Sequence, residues 1–570
     1  MNILKTITEG GQIWAHRVRM AKQVLKIAST LSLFLMFVFF CFSLTQIPAL
    51  HYQASAYYLN AKFLNSRQDK ISVNGLFWSK LHRQSISKKT LELSSDTVQK
   101  ACERVATLTG NQILHNLELT TSLGSYSFGG AILFFLLRGW RARQKQHVEG
   151  KKIISSRRLA LKLKLLRHAS PIELGSIPLL KDTETHHILV SGATGTGKTN
   201  AFHTLLPQIR NLHQRAIIVD LTGEYVEKYY RHGKDILLNP FDQRTVSWHP
   251  WCEGIDHVSL KSLAQSFIPS SYREEENFWR KGAQEVFFAA LKETAFPAKT
   301  SALTKLLLHD SLGTLAMVLK GSAATAYLDL ASEKTAGSVR AVASSFLECL
   351  ELLPDTETPF SIRDWVAKED SDSWLFLCCT PQQRASVSSL ISAWLSVGIS
   401  SLLQLPPSHD RRLWFVLDEL PKLNRLKDLE NFLTESRKFG GCGLLAIQSP
   451  AQLETIYGRD VTSTLLGNCA TRVAFAEYDA MIAERISKTF GQKEIRESQE
   501  ALSYGAHEMR DGVNISYQTK SSSVVSPTAL QSLGKLEAFV KLPSNLSVSK
   551  IKFPIQLLPK ISEPFVSNSL

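Results

Sequence analysis

No two of the eight cysteines form a C-x-x-C pair, and none stands at a metal-ligand spacing from another. A zinc ribbon and a disulfide scaffold are thereby excluded, and the thiols read as reduced, mostly buried groups of a cytosolic compartment. Residues 48–118 hold Cys102 alone, so that segment has no disulfide of its own. A general basic excess is missing too: the formal net charge is +15, yet residues 169–570 sum to −3. The body of the chain therefore carries no overall basic footprint for nucleic acid, although a few concentrated Lys/Arg would serve. With 44% hydrophobic and 21% charged residues, neither a disordered chain nor a fibrous repeat fits. At roughly 150 residues per domain, the 570 residues suggest three or four domains.

The basic charge lies beside two uncharged runs. Residues 1–26 carry +4 and residues 138–168 carry +10. Between them, residues 27–47 (IASTLSLFLMFVFFCFSLTQI) and 119–137 (LTTSLGSYSFGGAILFFLL) contain no charge. As helices rising 1.5 Å per residue, runs of this length match a hydrocarbon core of roughly 30 Å. Two transmembrane helices are expected. A cleaved signal peptide is the alternative for the first, against its long apolar core; a buried soluble helix is the alternative for the second. The positive-inside rule puts residues 1–26 and the basic juxtamembrane linker 138–168 in the cytoplasm and leaves 48–118 as an outer, periplasmic loop. The linker itself reads as a surface attracted to anionic headgroups rather than as a nucleic-acid site.

Beyond the linker, HHILVSGATGTGKTNAFHTLL has the order apolar strand, glycine-rich turn, helix. Gly192, Ala193, Thr194, Gly195, Thr196, Gly197, Lys198 and Thr199 satisfy G-x-x-x-x-G-K-[ST]. Such glycines let successive N–H groups turn toward phosphate oxygens, and the following helix adds its positive end. Lys198 is the expected partner of the β- and γ-phosphates of ATP, and the Thr199 hydroxyl a ligand of Mg²⁺. A carboxylate at the end of a neighbouring strand completes this chemistry, and RRLWFVLDELPKL ends its apolar run in Asp418 and Glu419. Asp418 suits the metal shell, and Glu419 suits polarisation of the attacking water.

Two further residues follow in order. A helix is expected over 427–438 (KDLENFLTESRK), with Arg437 near its end, and a strand over 443–447 leads to Gln448. A strand-end Gln can sense the phosphate or orient water. Arg437 reads equally as an arginine finger for a neighbouring subunit or as a solvated helix-terminal cation.

Asp418 follows Thr199 by 219 positions, far more than a few strand–helix units occupy. Most of the surplus, residues 258–352, has helical periodicity. Sheet-like segments stand on both sides, AIIVDLTGEY and DILLNPFD before it and SWLFLCCT after it. The expected fold class is α/β, a P-loop NTPase domain over 169–257 and 353–570 with an inserted all-α domain, preceded by two transmembrane helices. Asp220 to Gly223 matches the D-x-x-G of GTPases, but no N-K-x-D follows, which demotes that reading.

Together, the two spans, GATGTGKT, VLDEL, ESRKFGGCGLLAIQS, GAHEMRDGV and FVKLP resemble the TraD group of type IV secretion coupling proteins, similar in turn to the FtsK/HerA class of RecA-like motors. The resemblance implies a RecA-like core, a homohexameric ring on the bacterial inner membrane, and ATP hydrolysis that drives single-stranded DNA with its attached relaxase toward the secretion channel. It implies ATPase roles for Lys198, Thr199, Asp418 and Glu419, a phosphate-side role for Gln448 and action in trans for Arg437. Some members of the group have a long acidic C-terminal tail for cargo docking, whereas this chain ends in the nearly uncharged SEPFVSNSL. A motor for protein substrates only, and a membrane receptor using nucleotide as a switch, are the competing functions.

Overall fold

Uninterrupted apolar runs such as ILVS, WLFLC and LWFVL suit strands covered on both faces, because alternation is needed only where one face is wet. The computed structural model, which describes residues 3–64, 70–143, 146–329, 332–369, 371–503 and 512–568, bears this out: every residue of these three runs is buried. The chain divides into two units, residues 1–146 with 496–518, and residues 147–495 with 519–570.

The larger unit is built on a ten-stranded sheet. In chain order its strands are β1 (Ile153–Ser155), β2 (Ile188–Ser191), β3 (Arg215–Asp220), β4 (Ile236–Leu238), β5 (Trp374–Cys378), β6 (Leu413–Leu417), β7 (Gly441–Ile447), β8 (Thr471–Ala474), β9 (Glu537–Lys541) and β10 (Val548–Lys552). Their spatial order is β1-β10-β9-β8-β2-β7-β6-β3-β5-β4. All neighbours from β8 to β4 are parallel, while β9 is antiparallel to β8 and to β10.

Alternate side chains of these strands feed two cores. Ile188, Val190, Ile218 and Val416 pack with Ala201, Phe202, Leu205 and Ile209 of the helix Lys198–Asn211. Leu189, Ile217, Phe415 and Leu417 pack on the opposite face with Leu390, Trp394 and Leu402 of the helix Arg384–Leu403. A fully buried aromatic such as Phe415 is worth about 3–5 kcal/mol when truncated to Ala. The 20-residue helix Arg384–Leu403 is itself long and apolar enough to cross a membrane, yet 78% of its apolar window is buried in the protein, so it is a core helix.

Between β4 and β5 the described residues are helical or irregular, with main helices His257–Phe267, Glu274–Glu293 and Glu333–Leu347. Ala283, Phe287 and Val339 from this insertion join the core of the helix Arg384–Leu403. The sheet also reaches upstream of position 169. Ile153–Ser155 pairs in parallel with Val548, Ser549 and Lys550, and the helix Ser156–Leu165 buries Leu159 and Leu163. Apolar residues among the cations of residues 153–165 thus give that part of the basic segment structure of its own. Of GAHEMRDGV, residues 505–511 lie outside the described residues.

In the smaller unit the first apolar run lies in the helix Ile3–Thr45 and the second in Ser95–Arg143, whose N-terminal half extends well before position 119. Both are long and apolar enough to cross a membrane, with mean hydropathies of 2.3 and 1.3. They touch where Ser32 Oγ donates to the carbonyl of Gly124 at 2.7 Å. Residues 48–94 add the helix Ala49–Leu64 and a hairpin of Lys70–Asn74 with Thr90–Ser94, closed over Ala54, Val73, Phe77 and Cys102.

Candidate nucleotide-binding site

Strand register assembles the site. Leu417 at the end of β6 is opposite Leu445 of β7, and Ile447 at the end of β7 is opposite Ser191 at the end of β2. The residues that follow, Asp418 and Glu419, Gln448, and Gly192, therefore emerge from one edge of the sheet. That edge is the carboxyl end of parallel strands, where open α/β sheets hold ligands.

The turn from Gly192 to Lys198 has the backbone its glycines permit. Gly192, Gly195 and Gly197 have φ of 149°, 76° and 127°. A Cβ on Gly197 would sit 2.8 Å from Leu536, so space as well as φ demands glycine there. Ala193 N donates to the Ala476 carbonyl at 2.9 Å, and Thr196 Oγ1 to the Ala193 carbonyl at 2.7 Å. Lys198 Nζ lies over the turn, donating to the carbonyls of Gly192 at 2.8 Å and Ala193 at 3.0 Å. Burial lowers its pKa, opposed by the charges of Asp418, Glu419 and Glu477.

Thr199 Oγ1 donates to Asp418 Oδ2 at 3.1 Å, and Tyr225 OH to the same oxygen at 2.7 Å. Burial raises the Asp418 pKa, while those two hydrogen bonds and Lys198 favour the ionised form. Gln448 Nε2 donates to Glu419 Oε1 at 2.9 Å, and Lys422 pairs with Glu419. The turn, Lys198, Thr199, Asp418, Glu419 and Gln448 face one cavity of about 390 Å³, a volume suited to a small organic ligand.

Arg437 is not brought into this group. It is exposed, in the 3-10 turn Ser436–Phe439 that continues the helix Leu429–Glu435, ahead of β7. There it stands near His186, whose pKa is lowered by burial and then by the Arg437 charge. Seven residues of strand, about 20 Å, separate that turn from Gln448.

Several residues at the site were not singled out from the sequence. Asn200 Oδ1 accepts from Gln556 N at 2.9 Å and its Nδ2 donates to the Pro554 carbonyl at 2.8 Å, so the C-terminal segment passes over the helix start and brings Ile555 to the cavity wall. Lys535 and Leu536 line it from before β9. Asn200 adjoins the motif and was findable by position, whereas its partners lie more than 350 residues away.

The arrangement fits ATP with Mg²⁺. A lysine over a glycine turn suits phosphate, and a Thr hydroxyl beside a carboxylate is a donor pair for a hard cation.

The fold and this site define a RecA-like P-loop NTPase carrying an all-α insertion and apolar N-terminal helices. Within that class the chain belongs to the type IV secretion-system coupling proteins: the family TrwB_AAD_bind, described as the type IV secretion-system coupling protein DNA-binding domain, matches residues 171–554. It is similar over 586 aligned residues to "Coupling protein TraD" of Escherichia coli (strain K12), with 29% identity, 99% of this chain and 80% of that protein covered. A shorter likeness, 25% over 139 residues, joins 23% of the chain to 22% of "Type IV secretion system-coupling protein VirD4" of Bartonella henselae. Among solved structures, plasmid coupling protein TrwB in complex with ADP and Mg²⁺ superposes with a TM-score of 0.67 at 27% identity, covering 75% of this chain and 98% of that one.

Proposed function

We propose that this chain is an inner-membrane coupling ATPase of a conjugative type IV secretion system, which recruits single-stranded DNA with its attached relaxase and drives it to the secretion channel. The observation that carries the proposal is the meeting of Lys198, Thr199, Asp418, Glu419 and Gln448 around one cavity. The family description names DNA binding, and TrwB, a structural neighbour, is described with ADP and Mg²⁺ and with an ATP analogue.

Bound ATP supplies a transferable γ-phosphoryl group, with Mg²⁺ neutralising charge on its oxygens. The turn and Lys198 would hold the phosphates, and Thr199 with Asp418 would hold the metal. Glu419 takes the proton of the attacking water, and Gln448, bonded to Glu419, aligns that carboxylate and reports on the phosphate. Arg437 stabilises transition-state charge on a neighbour's nucleotide in a homohexameric ring. The helices Ile3–Thr45 and Ser95–Arg143 anchor the ring through their apolar runs 27–45 and 119–137, with the basic flanks and the ATPase domain cytoplasmic and residues 48–118 outside.

The test is ATP hydrolysis by the full-length protein in nanodiscs, titrated with single-stranded DNA of increasing length. Stimulation that rises with length and then saturates is expected. No stimulation in a verified hexamer overturns the DNA-motor reading.

A further inference from the structure

The D-x-x-G match left over from the sequence has a use in the fold, and it leads to Asp418. Asp220 ends β3, almost fully buried. Its Oδ1 accepts from Thr222 N at 3.0 Å and Gly223 N at 2.8 Å, and its Oδ2 from Tyr225 N at 2.7 Å and Val226 N at 2.9 Å. One carboxylate therefore satisfies four backbone donors at the start of the helix Glu224–Tyr229. The geometry is that of a cap, and it fixes the backbone of Tyr225.

The Tyr225 ring is fixed as well. It is 2% exposed and stacks on Tyr229 at 6.4 Å with planes 18° apart, while His203 and Phe202 lie at 5.4 and 6.4 Å. His203 is held in turn by the Tyr229 hydroxyl at 3.0 Å on Nδ1 and by Glu224 at 2.9 Å on Nε2. A ring clamped in this way has one mobile group, its hydroxyl hydrogen, and the hydroxyl donates to Asp418 Oδ2 at 2.7 Å. Thr199 reaches the same oxygen at 3.1 Å, and among the described residues no hydrogen bond goes to Asp418 Oδ1.

We infer that Tyr225 is a positioning residue for the magnesium site: its hydroxyl pins Oδ2 of Asp418, so that the carboxylate keeps one orientation and offers Oδ1 to the shell of the ion. The inference rests on the nucleotide-site reading above. Thr199 is a weaker anchor for this purpose, because its hydrogen bond to Oδ2 is longer, 3.1 Å against 2.7 Å, and its oxygen would itself serve the ion. Tyr225 is not among the residues lining the cavity and acts through Asp418. Outer partners of metal ligands typically change metal affinity by about 10–100-fold when removed.

Tyr225→Phe keeps the ring and deletes the hydroxyl. Full-length protein in nanodiscs is titrated with Mg²⁺ at fixed fluorescent N-methylanthraniloyl-ADP, with nucleotide affinity in EDTA and the metal-free melting temperature measured alongside. The expected result is an apparent Mg²⁺ affinity weakened about tenfold or more, with the two metal-free readouts at wild-type values. Asp418→Asn removes the carboxylate, and adding Tyr225→Phe to it should then weaken Mg²⁺ binding no further. Wild-type Mg²⁺ affinity in Tyr225→Phe overturns the inference, and so does full additivity in the double variant. If wild-type protein binds the nucleotide with no Mg²⁺ dependence, or Asp418→Asn leaves that dependence intact, the nucleotide-site reading fails and this inference falls with it.

Discussion

Arg437 and Gln448 bracket the same strand and look to opposite edges of the sheet: the arginine stands in the turn before Gly441, near His186, and the glutamine follows Ile447 and bonds Glu419. An arginine at that distance has no reach to the nucleotide of its own subunit, so a catalytic role requires a neighbour. Arg437→Ala is expected to lose hydrolysis by about a thousandfold in pure rings. Co-assembly with subunits inactive through Lys198→Ala should restore part of it, because each variant supplies the group the other lacks. Equal inactivity of mixed and pure rings, in steady-state assays, assigns Arg437 a local structural role.

Lys198 is needed for its ligand rather than for the core, since among the described residues its ammonium bonds only the carbonyls of Gly192 and Ala193. Lys198→Ala should abolish hydrolysis, by on the order of a hundredfold or more, while leaving thermal unfolding without nucleotide within a few degrees of wild type. Gly197→Ala should behave differently, because φ of 127° and the 2.8 Å approach to Leu536 strain the turn itself. That variant should lower both nucleotide binding and melting temperature.

Acid should weaken the larger unit through His187. Its buried Nδ1 accepts from Gly443 N at 3.0 Å, joining the start of β2 to β7, and burial lowers its pKa to about 4. Above the ordinary value near 6.5 the ring is neutral in both folded and unfolded chains and contributes no pH dependence. As pH falls from about 6.5 to 4 the unfolded chain takes up a proton that the folded one refuses, so stability declines through that window by up to a few kcal/mol. Chemical unfolding of wild type and His187→Gln at pH 7.5 and 5 checks this. The decline between the two pH values should be smaller in the variant.

Gly124 is one of the places where the two apolar helices of the smaller unit touch. Ser32 donates to its carbonyl, and a Cβ there would overlap the thioether of Met36. Gly124→Leu should separate the helices, which in detergent lowers the melting temperature and in membranes reduces disulfide trapping between cysteines placed at Ser32 and at Ser125. A small-residue control, Gly124→Ala, should do less, because Met36 is flexible enough to move.

Much of the ATPase edge was legible because its chemistry is local in sequence. A glycine turn, a lysine and a pair of acids after an apolar run announce themselves by spacing, and the strands around the insertion by unbroken apolar character. The rest depends on long-range pairing. Asn200 meets Pro554 and Gln556 only because β10 returns the chain to the helix start, and Ile153 joins the sheet only because Val548 is there to pair. The D-x-x-G match could be set aside as a GTPase sign, yet nothing local showed that Asp220 caps a turn delivering Tyr225 to Asp418. The helix Arg384–Leu403, long and apolar enough for a membrane span, owes its place in the core to the sheet on one side and the insertion on the other.

The central claim is that one ATP with Mg²⁺ is bound between the turn at Lys198 and the acids after β6, and is hydrolysed by means of Glu419. Binding and turnover measured side by side in full-length Glu419→Gln test it most directly. Nucleotide affinity near wild type with hydrolysis reduced by about a hundredfold or more is expected. Hydrolysis at the wild-type rate in that variant would contradict it.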